Sequence, residues 1–168
     1  SMDFPDRVGA LTVLSSPHER APDEQRLVEE RAKQTAVGGP AATIESTLQR
    51  WFTPEFLHRE PGVVDEIRAG VIGNDPLIYT QCRQVLAHGV IELVRPNPPI
   101  SIPALVMTCE YDSGSTPQMA HAIAAEISAA KCVIIPGLKH MGLVEKPPLF
   151  LEHILRFLDD VHGGTVRS

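Results

Sequence analysis

Two residues have the type and the position to do acid–base chemistry together. Asp112 stands in Glu110-Tyr111-Asp112-Ser113-Gly114-Ser115-Thr116-Pro117, and His140 in Pro136-Gly137-Leu138-Lys139-His140-Met141-Gly142. Each follows an apolar, β-branched run. An aspartate that hydrogen-bonds an imidazole fixes its tautomer and supports the cation formed when the ring takes a proton. That is the lower half of a nucleophile–base–acid triad. Taken singly, an Asp after a strand is most often a turn or capping residue, and a loop His is a solvated side chain. The joint placement sets these two apart, with one helix and one strand fitting between them.

Other candidates carry less. His18, His58, His88, His121 and His153 are scattered, with no H-E-x-x-H and no metal-ligand spacing, so no metal site is expected. Gly38-Gly39 is a helix stop, since no G-x-x-x-x-G-K follows it. Cys82, Cys109 and Cys132 form no C-x-x-C pair, which excludes a zinc ribbon or a thioredoxin-type motif. Cys109 lies in an apolar run, where burial suppresses thiol reactivity. The charge run Glu24 to Lys33 reads as a solvated helix face.

The elements that must position Asp112 and His140 follow from periodicity. Residues 103–109 and 132–136 read as strands, each followed by a loop and a helix. Thr116-Pro117 opens the first helix, which carries Met119, Ile123 and Ile127. Pro147 to Val161 forms the second, with Phe150, Ile154, Phe157 and Leu158 facing inward. Strand–helix–strand–helix is the pattern of a parallel sheet. Loops after parallel strands emerge on one edge, and neighbouring strands lie about 4.8 Å apart. An Asp and a His on adjacent loops can therefore meet. Residues 8–14 read as a further buried strand. Between them, residues 23–95 are a run of about four helices without a strand. Ile44, Leu48, Trp51 and Phe52 form one helical stripe. Asp75-Pro76 is an N-cap with proline at the first helical position, ahead of a stripe of Leu77, Ile78, Cys82, Val85 and Leu86.

At this point the chain resembles the α/β-hydrolase family. Ile102 to Met107, through Asp112 to Thr116-Pro117, is similar to the seventh-strand region of that fold. Ile134 to His140, then Glu145-Lys146-Pro147 and the Phe150–Leu158 helix, resembles its eighth strand, histidine loop and final helix. Phe4 to Val8 with Leu11-Thr12-Val13-Leu14 resembles the sixth strand, and the helical middle resembles the inserted cap. Arg50-Trp51-Phe52-Thr53-Pro54-Glu55-Phe56 resembles the cap of 3-oxoadipate enol-lactonase-like members. The resemblance implies a partial α/β-hydrolase fold: residues 1–22 as the sixth-strand region, 23–98 as an all-helical cap, and 99–168 as the C-terminal core. It implies Asp112 as the triad acid and His140 as the general base, acting on a small ester or lactone without cofactor or metal. Trp51 and Phe52 are cap core or, in a functional reading, line the substrate pocket; Met141 joins them as a substrate-binding candidate. Lys139 departs from the Gly or Ala that many members place before the histidine.

A second departure is larger. The family's nucleophile lies on G-x-S-x-G, a strained strand-to-helix turn, and no such motif occurs in these 168 residues. Ser15-Ser16-Pro17 follows a strand but lacks the flanking glycines, and Ser113-Gly114-Ser115 belongs to the acid loop. The expectation is a truncated serine-type hydrolase, inactive toward esters by itself, because loss of the serine leaves only residual acceleration. Strand 8–14 would then present an unpaired edge, and such edges template association. Self-association through two antiparallel copies of this strand, giving a homodimer, is expected.

Two other readings compete: a non-catalytic binding or oligomerisation module, and a complementing half that needs a serine-bearing partner chain. Composition constrains them all. Hydrophobic residues make up 43% of the chain, enough for a core. Fifteen basic against 21 acidic residues give a net charge of −6, which argues against a nucleic-acid partner. No apolar run approaches the ~20 residues of a membrane span, no signal peptide is visible, and the sparse cysteines predict a cytoplasmic setting.

Overall fold

The structure is a computed structural model that describes residues 3–165. Its elements are β1 (Leu11–Leu14), α1 (Pro22–Gly38), α2 (Ile44–Trp51), α3 (Pro54–Arg59), α4 (Pro61–Ile72), α5 (Pro76–His88), β2 (Ala104–Cys109), α6 (Pro117–Ala125), β3 (Ala130–Ile135), α7 (Gly142–Glu145) and α8 (Pro147–Thr165). Short 3-10 turns cover Pro5–Arg7, Pro40–Ala42 and Gly89–Leu93. Contacts divide the chain into two compact units: residues 1–18 with 94–168, and residues 19–93.

Proline explains many of the helix starts. It opens α1, α3, α4, α5, α6 and α8, where its fixed φ is already helical and its missing N–H costs nothing. Three of these starts are sealed by a preceding side chain that accepts a first-turn amide: Thr53 from Phe56 N at 3.2 Å, Asp75 from Ile78 N at 2.9 Å, and Thr116 from Met119 N at 3.3 Å.

The sheet unit holds three parallel strands in the order β1-β2-β3, with Leu11 opposite Ala104 and Ala104 opposite Ala130. Every residue of the central β2 is buried, as expected for a parallel strand covered on both faces. Its alternation divides the cover. Leu105, Met107 and Cys109 join Ile135, Leu138, Phe150 and Phe157 in one core, while α6 also packs on β2. Leu158, read as inward, is 36% exposed, so α8 turns only the Phe150–Phe157 side fully into the core.

The helical unit is organised around Ile44, Leu48, Phe52 and Phe56, all buried, with the rings of Phe52 and Phe56 stacked at 5.0 Å. It contains five α-helices rather than about four. On α5 the expected stripe forms a helix but faces outward: Leu77, Ile78 and Val85 are all at least 60% exposed. Ala87 is the buried position there, and its carbonyl accepts from Gln25 of α1 at 2.9 Å. The loop expected after β3 is not irregular throughout, since Gly142 begins a single helical turn, α7.

Candidate active site

Asp112 and His140 meet. Nδ1 of His140 lies 2.8 Å from Oδ2 of Asp112. The Asp112 side chain has no exposure and that of His140 keeps 31%. A carboxylate only accepts, so Nδ1–H donates to it and Nε2 carries the imidazole lone pair.

The two loops are held together before the side chains come into play. Past the end of β2, Glu110 N donates to Ile135 O and Tyr111 N to Leu138 O, each at 2.9 Å. In return Gly137 N donates to the Glu110 carboxylate at 2.8 Å. Gly137 has φ +71°, a conformation that glycine adopts without penalty, and it turns the chain out of β3. Gly142 has a different role. A Cβ there would stand 2.5 Å from Cys109 Sγ and 3.1 Å from Leu138, so only glycine lets the histidine loop lie against the end of β2.

Asp112 is fixed on both oxygens. Oδ1 accepts from the amides of Gly114 and Ser115, each at 2.9 Å, an Asx-type turn that aims Oδ2 at the imidazole. The Thr108 hydroxyl donates to Ser115 O at 2.6 Å and stands 3.4 Å from Oδ2. The Ser115 hydroxyl crosses to β1 and donates to Ser15 O at 2.8 Å. Ser15 has φ +43°, rare for a residue with a side chain, and its hydroxyl lies 3.5 Å from His140 O. A belt of hydroxyls thus joins all three strand ends. The sequence reading missed Thr108, Ser115 and Ser15. The available signal was a small hydroxyl residue at or just past the end of an apolar strand.

Cys109, buried beneath this site, is no nucleophile. Burial first, and then the Asp112 carboxylate, push its thiol up to about 12. Of the other named candidates, Met141 is half-buried next to His140, Trp51 is half-buried at the end of α2, and Phe52 has no exposure. Among the described residues, no three His, Cys, Asp or Glu side chains gather as metal ligands would, and no helix is long and apolar enough to cross a membrane.

Known proteins share this arrangement of chain. The sequence is 24% identical over 151 residues to 3-oxoadipate enol-lactonase 2 of Acinetobacter baylyi, covering 89% of this chain and 54% of that one. It is 26% identical over 147 residues to (E)-2-((N-methylformamido)methylene)succinate hydrolase of the same organism, covering 88% and 54%. The solved enol-lactonase of Burkholderia xenovorans LB400 superposes with a TM-score of 0.79 at 26% identity, covering 91% of this chain and 57% of that one. No family model matches. The three-stranded parallel sheet and these likenesses establish a partial α/β-hydrolase fold. Within that fold, the chain resembles the enol-lactonases. It spans about half the length of the curated relatives it matches.

Proposed function

We propose that Asp112 and His140 are the acid and the base of a serine-type hydrolase for a carboxylic ester or lactone of the enol-lactonase kind. The observation that carries this is the 2.8 Å bond between a fully buried carboxylate and a part-exposed imidazole at the ends of adjacent parallel strands. In the reaction, a serine outside these 168 residues attacks the carbonyl while Nε2 of His140 takes its proton. The ring then returns that proton to the departing alkoxide oxygen, and water repeats the cycle to release the acid. Asp112 keeps the proton on Nδ1 and supports the imidazolium. Met141 beside the base supplies an apolar contact for the substrate, whereas Phe52, fully buried and stacked on Phe56, belongs to the core of the helical unit. No cofactor or metal takes part, and the setting is cytoplasmic.

The chain alone lacks the attacking group and is close to inactive. The test is p-nitrophenyl acetate hydrolysis by the chain, alone and then joined to the coding sequence upstream of it. Background rates alone, restored turnover when joined, and loss of that turnover in His140→Ala are expected. Turnover by the chain alone that vanishes in His140→Ala would place the nucleophile within these residues and overturn the reading.

A second reading concerns assembly. Among the described residues β1 pairs on one side only, and its four residues are all half-buried. An apolar strand edge of this kind favours pairing with another strand. The reading is a two-fold pair of chains joined through antiparallel β1 strands, and sedimentation at tens of micromolar checks it. A strictly monomeric species would count against it.

A further inference from the structure

The helical unit brings three arginines, Arg20, Arg31 and Arg83, within electrostatic reach of one another. Helices α1 and α5 run antiparallel. Gln25 Nε2 donates to Ala87 O at 2.9 Å, while Gly39, just past the end of α1, lies against Pro76 at the start of α5. Moving up α1 therefore moves down α5, which brings Arg31 level with Arg83. Arg20 arrives from the segment before α1. Its guanidinium donates to Leu86 O at 3.1 Å, to Gln25 Oε1 at 3.3 Å and to Ala87 O at 3.5 Å, one helical turn from Arg83.

All three side chains are half-buried, and Nε of each is sealed from solvent with no hydrogen-bond partner. The nearby Glu24 carboxylate offsets part of the Arg20 charge, and Glu24 and Glu29 each accept another hydrogen bond. Glu24 accepts from Ala21 N at 2.8 Å, and Glu29 accepts from Gln25 at 2.8 Å. Burial, followed by the charges of Arg83 and Arg20, pushes Arg31 below the ordinary arginine range. Burial does the same to Arg20, with Glu24 opposing and Arg83 adding. Half-buried guanidinium groups that repel one another cost stability unless an anion joins them. A chain with a net charge of −6 has carboxylates to spare for pairing them, yet leaves them together.

We propose that Arg20, Arg31 and Arg83 form a binding site for a small oxyanion carrying two or more negative charges. The planar, five-donor fork of arginine suits phosphate and carboxylate oxygens; Arg31 and Arg83 offer their forks, while Arg20, whose fork holds the end of α5, adds a third positive charge that favours a dianion over a single charge. The site lies wholly within the helical unit and does not depend on the hydrolase reading.

The test is thermal unfolding and calorimetric titration of the 168-residue chain with inorganic phosphate, and separately with succinate, at ionic strength held constant with sodium chloride. A saturable rise in Tm is expected, as for any ligand that binds only the folded state. Arg31→Gln and Arg83→Gln should each weaken binding by at least about tenfold, the scale of losing a hydrogen bond to a charged group. Each variant without anion should melt no lower than the parent, because one repelling charge is gone. A structural arginine would behave in the opposite way. Arg68→Gln, at a half-buried arginine paired with Glu45, should leave the anion response intact. Response to phosphate and succinate alike assigns the site to charge; response to phosphate alone assigns it to a tetrahedral oxyanion. No saturable response to either anion would overturn the proposal. So would lowered melting in both cluster variants with the response retained. If one cluster variant fails to fold, the other and the parent's titration decide.

Discussion

The sheet unit and the helical unit differ in where their fully buried polar side chains find partners. In the helical unit, buried Thr35 donates to Arg31 O on its own helix, four residues back, and its second contact, Thr43, is only eight residues away. In the sheet unit distant partners are added to local ones: besides the amides of Gly114 and Ser115, Asp112 reaches His140 across 28 residues, and Ser115 reaches Ser15 across 100. The Thr35 bond to Arg31 closes α1 on itself, and its contact with Thr43 asks only for the turn that follows α1. Distant satisfaction requires that the strand ends it joins be in place first, β2 and β3 for Asp112–His140 and β1 and β2 for Ser115–Ser15. Geometry fine enough for proton transfer belongs with the second kind, because the groups that hold the loops together also aim the carboxylate.

This contrast can be broken by substitution, beginning with the largest effect. Phe52→Ala removes a fully buried ring stacked on Phe56, and by urea unfolding it should cost about 3–5 kcal/mol. The signals of His140 should not move in the fraction that remains folded. Asp112→Asn preserves shape but loses one side of its acceptor set. A stability loss of about 1–3 kcal/mol is expected, together with a changed His140 ring tautomer by nitrogen NMR. Gly142→Ala places a methyl against Cys109 Sγ. It should cost about 1–3 kcal/mol while also shifting the His140 loop, which a helical-unit substitution would not do.

The smallest effect concerns thiols. Exposed Cys82 should alkylate at mildly alkaline pH while Cys109 stays protected in the folded chain, as mass spectrometry of modified peptides would show. The folded state holds the Cys109 proton up to about 12, whereas the unfolded chain releases it near 9.0. The stability this contributes is therefore complete below pH 9.0 and lost as pH rises toward 12. Unfolding midpoints that stay level over that range would contradict the assignment.

Much of this was legible in sequence where one residue type has one physical use. Asp75-Pro76 and Thr116-Pro117 announce helix starts, and both side chains accept the first-turn amides as expected. Asp112 and His140 were legible because each follows an apolar strand within a strand–helix–strand–helix pattern. The hydroxyl belt was not, because Ser115 looks like any loop serine until the fold sets it beside Ser15. Nor was the outward face of α5. Periodicity reveals that Leu77, Ile78 and Val85 share a side of a helix, but not which side meets α1. The charge run of α1 read as solvated, yet Arg31 within it is level with Arg83.

The central claim is that Asp112 fixes His140 as a base. The direct measurement is nitrogen and proton NMR of the His140 ring in the intact chain at mildly alkaline pH, beside Asp112→Ala. A proton on Nδ1, far downfield and lost in Asp112→Ala, with Nε2 unprotonated, is the predicted result. A proton on Nε2 in the parent chain, or an Nδ1 signal unchanged in Asp112→Ala, would contradict it.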